Sequence, residues 1–158
     1  KLASRGVATT ELDTLQTVMA DVNGVYQALD PADRRVIHCD LWHDNIKLYH
    51  GRLCPFDFED TVWGYRLHDI AMAMLDLLET VGRERYQPLL AAFQQGYEQY
   101  LAWPAGEMEA LQCGRLLWKA NYLANIDLDY LQSKWPIYLQ SFRHFLEYRE
   151  VQLPHTFE

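Results

Sequence analysis

The sequence predicts a mainly α fold interrupted by one small β-hairpin. Five separate stretches repeat apolar residues at steps of three and four, the spacing that gives a helix one buried face. Two short apolar-rich runs, Ile46-Lys47-Leu48-Tyr49 and Leu53-Cys54-Pro55-Phe56, flank His50-Gly51-Arg52, a turn signature between antiparallel strands. Nothing before Asp40 supplies several strands, so the hairpin stands nearly alone.

Taken in order, Thr10-Glu11-Leu12-Asp13 approximates a capping box with Asp replacing Glu, and a helix should start there. Leu12, Leu15, Met19, Val22, Tyr26 and Leu29 form its stripe. Asp30-Pro31 ends it, because the residue before proline avoids the α region. Val36-Ile37 reads as a short buried strand, and Asp60 to Tyr65 as an irregular loop. A second helix is expected over about Leu67 to Thr80, with Ile70, Ala73, Met74, Leu77 and Val81 inward. A third should begin near Tyr86, since Pro88 is tolerated only in a first turn. Tyr86, Leu89, Leu90, Phe93, Tyr97, Tyr100 and Leu101 keep its spacing. Trp103-Pro104-Ala105-Gly106 is a break. Met108, Leu111, Trp118, Tyr122 and Ile126 mark a fourth helix. The fifth runs from Ser133 to Tyr148, with Pro136 near its start and Tyr138, Leu139, Phe142, Phe145 and Leu146 inward.

The 158 residues suit one domain, 1–158, with loose ends at 1–9 and 152–158. Hydrophobic residues at 49% supply an ample core. A formal net charge of −8 argues against a nucleic-acid partner, because phosphate backbones demand clustered Lys and Arg. The same charge permits a cationic substrate. No apolar run spans a bilayer, as the best candidate, Ile70 to Leu75, stops at Asp76. Three cysteines, Cys39, Cys54 and Cys113, form neither a paired framework nor a metal signature. With no signal-peptide core after Lys1, reduced thiols and a cytoplasmic location are expected.

The chemistry-bearing residues cluster around the hairpin. His38-Cys39-Asp40-Leu41-Trp42-His43-Asp44-Asn45 precedes it, and Phe56-Asp57-Phe58-Glu59-Asp60 closes it. A hairpin brings its two ends together, so Asn45 and Asp57 should converge, and two oxygen ligands with no soft partner suit Mg²⁺. H-x-D-x-x-x-x-N followed by D-F is also the arrangement of protein kinases, where a carboxylate orients the attacking hydroxyl and an Asn and an Asp grip the metal.

With Gly64 and His68-Asp69-Ile70-Ala71 added, the pattern resembles the aminoglycoside phosphotransferase and choline kinase family, roughly H-G-D-L-H-x-x-N, then I-D-F-D/E-D, then G, then D-L-A. The motif core covers about Val36 to Met74. The resemblance implies the helical C-terminal lobe of a protein-kinase-like fold and an ATP-dependent, Mg²⁺-requiring transfer to a small-molecule hydroxyl. The acceptors it suggests include aminoglycosides, choline or ethanolamine, homoserine and, in some branches, protein Ser/Thr. By position, Asp40 resembles the catalytic base, Asn45 and Asp57 the metal ligands, Asp69 a brace of the catalytic loop and His38 a loop-packing residue. Glu59, Asp60 and Trp42 are candidates for substrate or second-metal contact. Two departures stand out: Cys39 replaces a common Gly and Trp42 a common His.

A kinase also needs a Gly-rich loop over the nucleotide and a Lys from an N-terminal sheet. No G-x-G spacing exists here, so the nucleotide lobe is expected to be absent, most ATP contacts to come from elsewhere, and this chain to be inactive alone. Trp118 and Tyr122, with Tyr130 and Trp135, invite a cation–π pocket for an amine, with Asp127 and Asp129 nearby in sequence. Aromatic residues at helical spacing are more often core. His43 and His50 read as surface residues. Two other functions compete. A metal-dependent hydrolase of HD type would use His43-Asp44 and His68-Asp69 with His38, although such pairs normally sit on helices. A non-catalytic kinase-like module is the third reading.

Overall fold

The computed structural model describes residues 8–153; the expected loose ends before Ala8 and after Leu153 lie outside the described residues. The element order is α1 (Thr9–Ala28), β1 (Arg34–Ile37), β2 (Ile46–Tyr49), β3 (Arg52–Pro55), β4 (Val62–Tyr65), α2 (Arg66–Val81), α3 (Arg83–Tyr97), α4 (Met108–Ile126) and α5 (Leu128–Tyr148). The fold is mainly α, as expected, with two antiparallel strand pairs, β1 with β4 and β2 with β3.

The chain forms two compact units. One comprises the described residues up to Ala28 and from Glu109 onward. In it α1 packs on α5, and Val18, Leu111, Cys113, Leu116, Phe142, Phe145 and Val151 are essentially sealed from solvent. The α1 carboxylate that caps is that of Glu11, which accepts from Ala8 N at 3.2 Å, so the cap lies nearer the start than the Thr10–Asp13 box. Glu11 also accepts from Trp135 Nε1 at 3.1 Å. Helix α5 begins five residues before the expected Ser133. Asp127 accepts from Tyr130 N at 3.0 Å and satisfies an amide that helix starts leave open. Pro136 is therefore an interior proline, and the carbonyl of Gln132 lacks its usual partner.

The buried face of α4 also differs from expectation. Its aromatic stripe is exposed, Trp118 by 50% and Tyr122 by 48%, while Ala120 and Ala124 are buried. Small side chains let helices approach closely, and Ala120 and Ala124 do so in a cluster with Leu131.

The second unit runs Leu29–Met108 and carries the catalytic-loop motif. Helix α2 is its axis. Leu67, Ile70, Ala71, Met72, Met74, Leu75 and Leu78 are buried; of the expected face only Ile70 and Met74 are among them, and Ala73, Leu77 and Val81 are half-buried. It packs on α3, β1, β4 and the turn at His43–Asn45. Residues 62–65, expected to be loop, form β4 because Val62↔Ile37, Trp63↔Val36, Gly64↔Arg35 and Tyr65↔Arg34 pair across a long separation. Gly64 packs closely there: a Cβ would stand 2.5 Å from Ile37 Cδ1, and the isoleucine side chain would have to shift. Strand β1 buries only Ile37, and Val36 is 68% exposed, so the strand is not the buried one expected. Helix α3 starts at Arg83, not Tyr86, and buries only Tyr86 of its apolar series. Gly82, at φ 73°, ends α2 and opens α3.

Candidate active site

The site is built on the β2–β3 hairpin. Its register is Ile46↔Pro55 through Tyr49↔Arg52, which leaves His50-Gly51 as a two-residue turn. Both turn residues have positive φ, 48° and 74°, the requirement of a tight turn that matches strand twist. Below the last pair, Phe56 N donates to Asn45 O at 3.0 Å. The hairpin is thus closed at its base, with Asn45 entering one strand as Asp57 leaves the other.

Asn45 is buried, and its Nδ2 donates to Asp40 O at 3.0 Å and to Asp40 Oδ2 at 3.1 Å. Both donor positions of that amide are therefore engaged with Asp40, leaving Asn45 Oδ1 as the atom available to a ligand. Asp40 itself is half-buried. Asp57 is exposed and sits at φ 63°. The flanking Phe56 and Phe58 do not bury it, so desolvation does not by itself demand a partner there. A left-handed backbone at a non-glycine residue stores roughly 1–2 kcal/mol and is enriched at functional positions.

Asp69, in the first turn of α2, accepts from His38 N at 3.0 Å and Cys39 N at 2.8 Å. Cys39 has φ 69°. The loop thus keeps the left-handed backbone that a glycine adopts freely, with a thiol in its place. Cys39 Sγ lies 3.8 Å from His68 Nε2. His38 is buried, and its Nε2 stands 2.8 Å from Phe56 O, a carbonyl to which it donates. His38 Nδ1 and Thr61 Oγ1 are buried without a hydrogen-bond partner. The imidazole also packs at 4.9 Å from the Phe58 ring. His38 therefore ties the loop before Asp40 to the segment leading into Asp57.

One contact was not legible in the motif. His43 N donates to Asp76 Oδ2 at 3.0 Å, and His43 Nδ1 lies 2.9 Å from Asp76 Oδ1. His43 is exposed, as its surface reading implied, yet it is bonded. The Asp76 hydrogen bond raises its pKa above the usual histidine value. The signal was present in the spacing: Asp76 lies seven residues after Asp69, on the same face of α2.

Glu59, Asp60 and Trp42 are exposed around this site. In the other unit, Trp118 stacks on Tyr122 at 5.3 Å, and the Arg115 guanidinium lies 4.3 Å above Trp118. A protein cation already faces that indole, Asp127 is engaged as the α5 cap, and Asp129 is exposed. The two His-Asp pairs of the hydrolase reading do not assemble. His43 pairs with Asp76 and Asp69 holds amides, and among the described residues no three or more His, Cys, Asp and Glu side chains group to hold a metal. Asn45 Oδ1 and the Asp57 carboxylate still fit Mg²⁺, which takes one or two protein oxygens and completes its shell with phosphate and water.

A hairpin carrying Asn45 and Asp57, beneath a loop braced by the first turn of α2, is the C-terminal lobe of a protein-kinase-like fold. The profile of the phosphotransferase enzyme family matches residues 2–107, and the chain belongs to that family. Among solved structures it resembles the amicoumacin kinase hAmiN in complex with AMP-PNP, Ca²⁺ and Ami, at 18% identity and a TM-score of 0.71. The match covers 92% of this chain and 47% of that one, so the chain spans about half the length of that kinase. No curated protein matches the chain at a significant level. Among the described residues no helix is long and apolar enough to cross a membrane.

Proposed function

We propose that this chain is the catalytic lobe of an ATP-dependent kinase that phosphorylates a hydroxyl of a small molecule. The observation that carries the reading is the grip of Asn45 Nδ2 on both the carbonyl and the carboxylate of Asp40. That grip joins the candidate base to the candidate metal ligand and fixes their separation. Asp40 orients the acceptor hydroxyl and receives its proton. The acceptor oxygen then bonds to the γ-phosphorus as the bond to the β-phosphate oxygen breaks, releasing ADP. Asn45 Oδ1 and Asp57 would hold Mg²⁺, which would neutralise charge on the transferring phosphoryl group. His38 and Asp69 keep the loop in register by bonding to main-chain atoms on either side of the chemistry.

The acceptor class is an aminoglycoside, choline or ethanolamine, or homoserine, with cationic members suited to the acidic chain. The relative's complex with a nucleotide analogue and a divalent cation agrees with these cofactors. Activity is assigned to the whole protein that carries this lobe. The test is phosphate transfer from ATP by that protein across a panel of these acceptors. Asp40→Asn should lower kcat by about a thousandfold, within the range of lost general-base catalysis, with KM little changed. Normal turnover by the variant overturns the assignment.

A further inference from the structure

Helix α2 sends two carboxylates to the catalytic loop, and they act on opposite sides of Asp40. Asp69 and Asp76 are seven residues apart, close to two full turns, so they lie along one face of the helix. Asp69 takes the amides of His38 and Cys39, directly before Asp40. Asp76 takes the amide of His43, three residues after it, and Nδ1 of the same residue lies 2.9 Å and 3.0 Å from its two oxygens. One carboxylate therefore grips one residue by both main chain and side chain, which removes its freedom to rotate.

The stretch between the grips is tied internally. Trp42 N donates to Asp40 O at 3.1 Å and Asn45 N to Trp42 O at 3.0 Å. A short turn anchored at His43 leaves Asn45 little freedom of direction. Exposed ion pairs contribute little to stability, and His43 is exposed, so the contact matters through geometry. Asp44, 3.5 Å from His43 Nε2, is itself exposed and offers no comparable anchor.

We infer that Asp76 is a positioning residue: through His43 it locks the second half of the loop onto α2 and aims the Asn45 amide at Asp40. The catalytic consequence rests on the phosphotransfer reading, whereas the lock stands on the geometry alone.

Amide hydrogen exchange and the Asn45 side-chain NH₂ resonances of this 158-residue chain test the lock without any activity. Asp76→Ala should speed exchange about tenfold at His43 N and Asn45 N and at Asn45 Nδ2, the scale of a lost charged hydrogen bond. His38 N and Cys39 N should be unaffected, and Asp69→Ala should release those two instead. Asp76→Asn keeps an oxygen acceptor and should restore most of the protection. If Asp76→Ala unfolds the chain, His43→Gln serves, since it removes the ring contacts and leaves the main-chain amide bond to Asp76; it too should speed Asn45 Nδ2 exchange. Unchanged Asn45 signals in whichever variant folds overturn the proposal. In the whole protein, Asp76→Ala should lower kcat about tenfold with KM unchanged; full kcat beside a loosened Asn45 also overturns the positioning role. A wild-type protein that transfers no phosphate sinks the kinase reading, while the exchange pattern still decides the lock.

Discussion

The two units hold themselves together by different means. In the helical unit, Phe142, Phe145, Leu111, Leu116 and Val18 are sealed from water, and burial of large apolar side chains carries the structure. In the unit that bears the candidate site, burial is concentrated on one helix, α2. Its strands are open: Leu48 is 73% exposed and its cross-strand partner Leu53 is 71% exposed. What fixes the strands and loops there is directional bonding, from Asp69, Asp76, Asn45 and His38 to specific main-chain atoms. A hydrophobic core tolerates small displacements as long as volume is filled. Hydrogen bonds to a half-buried carboxylate do not. The site is thus placed by the kind of interaction that specifies direction, and stability is supplied by the kind that does not.

The sharpest way to break this comparison is to truncate one apolar side chain in each unit. Phe142→Ala should destabilise the chain by about 3–5 kcal/mol, and Leu48→Ala should stay within about 0.5 kcal/mol, both read by denaturant unfolding. A large loss from Leu48→Ala would mean that the hairpin is held by packing after all. A smaller effect concerns Cys113, buried in the helical unit, where burial pushes its thiol pKa up from about 9 to about 12. A raised pKa in the folded state favours the protonated form. Its contribution to stability is therefore complete below pH 9 and lost as pH rises through about 12. Unfolding midpoints measured over that window should fall, and less steeply in Cys113→Ala. Thiol reagents at neutral pH should label Cys39 and Cys54 long before Cys113. A modest effect belongs to Gly51 in the hairpin turn, where a Cβ would meet nothing within 4 Å. Gly51→Ala should cost only the left-handed backbone penalty, about 1 kcal/mol. A larger loss would show that the turn sets more of the hairpin than its own conformation.

Much of the fold was legible because its signals are local. The hairpin follows from His50-Gly51 between two apolar runs, and α2 from its own periodicity. What escaped depended on distant partners or on residue size. Strand β4 exists only because Arg34 to Ile37 lies against it. The stripe of α1 was placed slightly off: Leu15, Val22 and Leu29 are buried, but Val18 is sealed while Met19 is exposed. On α4, weighting bulky residues pointed to Trp118 and Tyr122, whereas close helix packing selected Ala120 and Ala124. The start of α5 was hidden because Pro136 looked like a first-turn proline, and Asp127, considered for a pocket, is the cap. Within the candidate site, Asn45 meets Asp40 because only five residues separate them, whereas Asp69 reaches His38 and Cys39 across 31 and 30 residues and was legible through the family pattern alone. Asp76 and His43 were missed as a pair because 33 residues separate them, His43 falls at an open position of the motif and Asp76 lies beyond it.

The hairpin's geometry also makes it a place to attach a probe. Asn45 and Asp57 flank its base, where Phe56 N meets Asn45 O, while His50-Gly51 is the far end of two exposed strands. A fluorophore or short tag grafted between those two residues would ride on the strands without entering the register below. A probe there stands away from Asn45 and Asp57, so it would report on the hairpin without touching either residue.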